Sequence, residues 1–292
     1  MATISGVITA MVTPFDDGGG LDADTARRLA RHLAEHGSHG LVLAGTTGES
    51  PTLSDAEKLE LLEAVRDELG DELMLICGTG SNDTRHSVEL TRAAVGRGAD
   101  AVLVVTPYYN KPNHAGLRAH FEAVADAAGD VPVVLYNIPS RCVINLPPDL
   151  LAELARIDNV VAVKQANNDE LQPIDGLDVL AGNDEIFLRT LELGGTGGVL
   201  VSSHLVGREM RDIYDAATAG DLERAREIDE SLHGVYDAMT VTSNPIPVKT
   251  GLEMLGVIEG GVRLPMVRAD EEQRTAVRAA LERQGLLAAS AG

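Results

Sequence analysis

Eight short apolar runs, most of them followed by a helical pattern, constrain this chain more than any other feature. They are GVITAMVTP (6–14), GLVLAG (40–45), LMLICGTG (73–80), DAVLVVTPY (100–108), VPVVLYN (131–137), VVAVKQA (160–166), DVLAGN (178–183) and GGVLVSS (197–203). The first five and the eighth are almost continuously apolar, the pattern of strands covered on both faces in a parallel sheet. Amphipathic stretches separate them, among them ADTARRLARHLAEHG, SDAEKLELLEAVRDELG, TRHSVELTRAAVGRG, HAGLRAHFEAVADAAG and PPDLLAELARI. Ser54, with Glu57 three residues on, signals a helix start, and Gly37, Gly70 and Gly98 signal helix ends.

Eight β units spaced by roughly one helix each predict an α/β chain, a (β/α)8 TIM barrel, for which about 250 residues is typical. The 292 residues accommodate that core. A doubly wound open sheet is the rival, but no G-x-G-x-x-G opens a helix after an early strand. We expect residues 1–207 to form the barrel and residues 208–292 a C-terminal helical region packed on it. REMRDIYDAATAG, DLERAREIDESLHGVYDAM and DEEQRTAVRAALERQG supply that region's helices. No low-complexity tract or 20–50-residue repeat interrupts the pattern.

A formal net charge of −21 argues against nucleic acid and anionic membrane as partners, because both attract clustered Lys and Arg. No run of about 18 uncharged apolar residues occurs, and MATISGVITA lacks a basic n-region, so a cytoplasmic location is expected. Cys77 and Cys142 lie without metal-ligand spacing and are expected to be buried free thiols. Lysine is confined to Lys58, Lys111, Lys164 and Lys249. An acidic surface that avoids lysine favours a halophilic protein over an ordinary acidic one: in 1 M salt the Debye length is about 3 Å, and self-repulsion is screened.

Polar residues gather at the carboxyl ends of the strands, where active sites of such barrels lie. They include Gly45-Thr46-Thr47-Gly48-Glu49-Ser50, Tyr108-Tyr109, Tyr136-Asn137, Lys164 and Gly182-Asn183. Lys164 ends an apolar run and has two readings: an ammonium paired with a carboxylate, or an amine nucleophile. A nucleophile must shed a proton that lysine ordinarily keeps at neutral pH, at a cost of about 4 kcal/mol for three decades, which a desolvated barrel mouth can supply. GTTGES can converge N–H groups and hydroxyls on one small anion, or be an ordinary glycine-bounded turn; it is not a P-loop, since no lysine follows. Tyr109 and Tyr136 are either proton relays or core-edge tyrosines. Arg141 is either a bidentate carboxylate clamp or a surface ion pair.

The ordered set GTTGES (45–50), GTGSNDT (78–84), VTPYYNKP (105–112), YNIPSR (136–141), VAVKQ (161–165), NPIPVK (244–249) and RLPM (263–266) resembles the pyruvate-dependent Schiff-base aldolase family. The resemblance runs from VTPF at 12–15 to the last helix. It is closest to the branch that condenses pyruvate, as a lysine-bound enamine, with aspartate semialdehyde in lysine and diaminopimelate biosynthesis. It implies that Lys164 forms the imine and that Tyr136 relays protons in a hydroxyl chain with Thr47 and with Tyr109 of a neighbouring subunit. Thr46 and Thr47 would bind the pyruvate carboxylate, Arg141 the carboxylate of the second substrate, and Gly182 and Val199 would line the site. A homotetramer built as a dimer of dimers follows, with no metal and no organic cofactor.

Other members of the family, the N-acetylneuraminate lyases and 2-keto-3-deoxy sugar-acid aldolases, share the lysine and tyrosine, and are the alternative. Arg141 and NPIPVK favour the synthase branch; QANND after Lys164 and Cys142 after Arg141 depart from its usual pattern. A metal-dependent barrel hydrolase would need convergent histidines, whereas His32, His36 and His39 fall in HLAEHGSH, not H-E-x-x-H, and read as a solvated face. In family members inhibited by lysine, an interface site holds that ligand. The matching positions here are His86, Asp55 and Lys58, with Asn82 and Tyr108 retained, which predicts weak inhibition.

Overall fold

The computed structural model describes residues 3–288. Strands β1 (Gly6–Ala10), β2 (Gly40–Leu43), β3 (Met74–Gly78), β4 (Ala101–Val105), β5 (Val133–Asn137), β6 (Val160–Gln165), β7 (Asp178–Ala181) and β8 (Gly197–Leu200) close an all-parallel barrel in chain order. The (β/α)8 barrel expected from the apolar runs is the fold. Every strand except β5, which ends with its run at Asn137, is shorter than its run at the carboxyl end, where segments such as TP and YY turn outward instead of extending the sheet. Closure occurs at a glycine seam: Gly6 pairs with Gly197, and a Cβ on Gly197 would lie 2.3 Å from Gly6 O.

Alternation along the strands sorts the core into two shells. Ile8, Val42, Ile76, Leu103, Val134, Ala162, Leu180 and Val199, one from each strand, fill the barrel interior. Tyr136 and Lys164 stand two residues beyond Val134 and Ala162, so they share that inward face one layer nearer the carboxyl end. The other strand face packs on helices α1 (Ala23–Glu35), α2 (Asp55–Leu69), α3 (Thr84–Val95), α4 (His114–Ala128), α5 (Pro139–Cys142), α6 (Pro148–Leu154), α7 (Phe187–Glu192) and α8 (Gly207–Thr218). In α1 the buried residues Ala26, Leu29, Ala30 and Leu33 follow the i, i+3, i+4, i+7 spacing. Ser54 and Glu57 form the reciprocal capping box of α2, and Gly37, Gly70 and Gly98 take positive φ after α1, α2 and α3.

Two expectations are corrected. The β6–β7 crossover carries no α-helix, only a 3₁₀ turn at Asn168–Glu170, because Pro173 and Gly176 interrupt a 12-residue connection too short for a helix plus its turns. His32, His36 and His39 are half-buried, not a solvated face. His39 Nδ1 accepts the Val7 N–H at 3.0 Å, and burial holds its pKa below the ordinary histidine value, keeping that acceptor unprotonated. Cys77 and Cys142 are buried free thiols, as expected.

Beyond α8 come α9 (Leu222–Ala238), α10 (Ile246–Met254) and α11 (Glu271–Arg283). Leu232, Val235, Val248, Leu252 and Val277 share one apolar cluster with Val7, Leu29 and Leu61 of the barrel. Because α8 is the eighth barrel helix, packed on β1, we propose drawing the boundary of the appended region after Thr218. Met1, Ala2 and residues 289–292, included in the expected segments, lie outside the described residues. Among the described residues no helix is long and apolar enough to cross a membrane.

Candidate active site

Lys164 and Tyr136 are direct neighbours in the β5–β6 register, and both are buried. The Lys164 Nζ lies over the Tyr136 ring, 4.3 Å from its centroid. Lys164 is only 4% exposed, yet among the described residues no carboxylate stands within ion-pair distance of it. The ion-paired reading of this lysine therefore fails. Its ammonium would have only the ring as partner, a contact worth about 2 kcal/mol when desolvated. The neutral amine needs no counter-ion, and its nitrogen is free to bond to a carbonyl carbon.

Tyr136 also lines a cavity of about 730 Å³ at the carboxyl end of the barrel, together with Thr46, Tyr109 and Arg141. Arg141 is carried by α5, which starts at Pro139 and is anchored by buried Asn137. Asn137 Oδ1 accepts from the Leu146 N–H, and its Nδ2 donates to Asn145 Oδ1 and Gln165 Oε1. The guanidinium is exposed and makes no ion pair among the described residues, so the surface-salt-bridge reading also fails. Beside it, burial pushes the Cys142 thiol up to about 11, so Cys142 is an inert wall.

The GTTGES loop is held in a bent shape. Ala44 and Glu49 bracket it at φ 52 and 57, left-handed values uncommon outside glycine, and the Thr13 hydroxyl donates to Gly48 O at 2.7 Å. Thr46 faces the cavity, whereas Thr47 is buried behind it with its Oγ1 accepting from Asn244 Nδ2 at 2.9 Å.

Gly182 and Val199, expected to line the site, are not part of the cavity wall, and neither are Thr47 and Lys164 themselves. Gly182 presses against β6, where a Cβ would lie 2.6 Å from Gln165 O, so its role is to let the strand end beside Lys164 close. Val199 is part of the interior layer beneath Tyr136. Tyr109 is 88% exposed on the cavity rim at φ 69, in a loop whose Asn110 exchanges amide hydrogen bonds with Asn82. QANND does not face the cavity either; Gln165 and Asn167 join the amide network around Asn137 and Asn145. Asn244 was missed from sequence although it stands in NPIPVK; only a contact between segments nearly 200 residues apart reveals it.

The same cavity extends outward to Asp55, Lys58, Asn82, His86 and Tyr108. Here Asp55 already has two partners, His86 Nε2 at 2.7 Å and Lys58 Nζ at 3.5 Å.

A lysine without counter-ion at a barrel strand end, stacked on a tyrosine that opens to a cavity with a free guanidinium, defines a Schiff-base lyase. The family model described as the dihydrodipicolinate synthetase family matches residues 3–284, and the chain belongs to that family. It is 46% identical over 289 residues to 4-hydroxy-tetrahydrodipicolinate synthase of Moorella thermoacetica, covering 96% of this chain and 98% of the relative. It also resembles a dihydrodipicolinate synthase from Acinetobacter baumannii solved with pyruvate, with a TM-score of 0.94, 36% identity, and coverage of 98% of this chain and 100% of that one. A synthase from Cyanidioschyzon merolae with lysine bound superposes with a TM-score of 0.94 at 38% identity, covering 97% of this chain and 99% of that one.

Proposed function

We propose that Lys164 is the imine-forming residue of an enzyme that condenses pyruvate with aspartate semialdehyde, giving 4-hydroxy-tetrahydrodipicolinate in lysine and diaminopimelate biosynthesis. The observation that carries the reading is the buried Lys164 amine with no carboxylate partner among the described residues, lying against a tyrosine open to the cavity. Lys164 Nζ attacks the keto carbon and one water leaves. The resulting imine accepts the electron pair released when a methyl proton departs, and the enamine carbon bonds to the aldehyde carbon of the second substrate. That substrate's amine then adds to the imine carbon, the bond to Lys164 breaks, and the lysine is regenerated, with one water lost overall.

Tyr136 carries protons between amine and cavity, with Thr47 and Tyr109 as the other hydroxyls of the chain; the cavity-lining positions of Tyr136 and Tyr109 support this reading. Thr46 and the loop N–H groups suit the pyruvate carboxylate, and the unpaired Arg141 suits the carboxylate of the aldehyde. A sugar-acid aldehyde would present neutral hydroxyls to that guanidinium and gain less from it. The exposure and left-handed backbone of Tyr109 support a second copy of the chain completing the site, hence a tight dimer paired into a tetramer. Three of the four lysines are buried, leaving Lys111 alone on an acidic surface, which supports a halophilic, cytoplasmic enzyme.

Borohydride reduction with pyruvate, followed by peptide mapping, tests the assignment. Labelling is expected at Lys164 and nowhere else. Label on another lysine, or a Lys164→Ala variant with wild-type turnover, would remove it.

A further inference from the structure

Two segments separated by almost 200 residues meet beneath the cavity, and the contact is polar and buried. From the loop come Thr47 and Glu49; from the connection after α9 and the start of α10 come Asn244 and Lys249. Lys249 Nζ donates to Glu49 Oε1 at 2.5 Å, with side chains 1% and 0% exposed. The Lys249 ammonium also donates to Gly261 O at 2.7 Å and lies 4.2 Å from the centre of the Phe15 ring. The other Glu49 oxygen accepts the Arg263 N–H at 3.0 Å. Two residues before Glu49, Thr47 Oγ1 takes the Asn244 amide hydrogen.

We propose that Asn244 and Lys249 are positioning residues, a clamp that holds the GTTGES loop so that the Thr47 hydroxyl is presented to the reaction as a hydrogen-bond donor. The inference rests on the reading of Thr47 as a relay residue. A hydroxyl has one proton to give and two lone pairs. Because Asn244 Nδ2 occupies a lone pair, the Thr47 proton is left to point elsewhere, toward a phenol oxygen or a carboxylate. Without the amide, the hydroxyl is free to rotate, and its proton loses a fixed direction.

Two further observations support the clamp over an incidental contact. Asn244 Oδ1 is buried with no partner among the described residues, a state that costs about 1–3 kcal/mol. Glu49 keeps φ 57, a conformation a non-glycine residue holds only where its surroundings over-determine it, and its two carboxylate oxygens are both engaged. A loop fixed at residue 49 by an ion pair and at residue 47 by an amide has its hydroxyl set from both sides. Misplacement of a catalytic group by about 1 Å costs on the order of 10²-fold in rate, which sets the expected effect.

The test compares five variants of the full-length enzyme by kcat, KM for pyruvate, rate of borohydride trapping and thermal midpoint. Asn244→Ala is expected to lower kcat about 100-fold with a small change in thermal midpoint. Asn244→Asp, nearest in shape but only an acceptor when ionised, should do no better, since it would take the Thr47 proton. Wild-type kcat in either variant overturns the inference; if Thr47→Val is then inactive, the relay reading survives, and if Thr47→Val is also fully active, the relay reading falls with it. Lys249→Met strands a buried carboxylate and can fail to fold, so the Glu49→Gln/Lys249→Met double variant is measured as well. Recovery of the thermal midpoint without recovery of kcat supports the clamp; recovery of both shows the pair to be merely structural and overturns it.

Discussion

Lys164 on β6 and Tyr136 on β5 are register partners, and the amine of one lies on the ring of the other. Tyr136 also lines the cavity, and under the proposed function its phenol relays protons to and from the amine. Tyr136→Phe keeps the ring and removes only the hydroxyl. It should therefore still pack, while kcat falls by about 10²–10⁴, the usual range for a lost acid–base group. A phenylalanine variant within twofold of wild type in steady-state assays would show that the ring, not the hydroxyl, matters.

Arg141 offers five donors beside the cavity, and among the described residues no carboxylate pairs with it. Arg141→Ala should raise KM for aspartate semialdehyde by about 10- to 100-fold, the equivalent of about 1.5–3 kcal/mol for hydrogen bonds to a charged group, and leave KM for pyruvate within a few-fold. An equal rise in both constants would mean that the substitution disturbs α5 and not one carboxylate.

Glu57 binds Arg263 through both carboxylate oxygens, and this lowers its pKa from 4.5 to about 2. A carboxyl lowered in the folded state contributes stability that is fully present above its unfolded pKa and is lost as pH falls through the folded one. Glu57→Gln should therefore lower the thermal midpoint by a few degrees at pH 7, corresponding to about 1–2 kcal/mol once solvent screening is allowed for. The gap from wild type should narrow between pH 4.5 and about 2. A gap constant across that window in calorimetry would assign the loss to packing and not to charge.

The outer part of the cavity holds Asp55 between Lys58 and His86. A ligand ammonium arriving there meets a carboxylate already paired and a buried lysine of the same charge. Free lysine is therefore expected to inhibit weakly, with less than half of the activity lost at about 1 mM; replacing Lys58 by Met should increase the inhibition. Strong inhibition of the unmodified enzyme below that concentration would contradict this account of the pocket.

The barrel could be read from the chain because strands buried on both faces leave an unmistakable apolar run, and because Ser54, Glu57, Gly37, Gly70 and Gly98 carry local signals for where helices start and stop. What those runs hid was where each strand ends, since Thr13, Thr46 and Tyr108 are compatible with extended and turning backbone alike. The absent helix after β6 went unseen because regular repetition of the other units outweighed Pro173 and Gly176. Lys164 and Tyr136 stood out by residue type at strand ends, and Arg141 by its place in YNIPSR just beyond β5. Asn244 did not, and neither did the Glu49–Lys249 pair, since no periodicity links positions 200 apart. His39 was misjudged because a histidine beside polar neighbours looks solvated until the Val7 N–H is found pointing at it.

The seclusion of three amines inside the protein has a practical side. Lys58, Lys164 and Lys249 are sheltered, and Lys111 alone stands out in water. Acylating reagents, cross-linkers and dyes that seek side-chain amines will find a single handle, set on the same loop as Tyr109. Attaching a probe there places a reporter two residues from Tyr109 on the cavity rim, without engineering a cysteine or touching the Lys164 nitrogen.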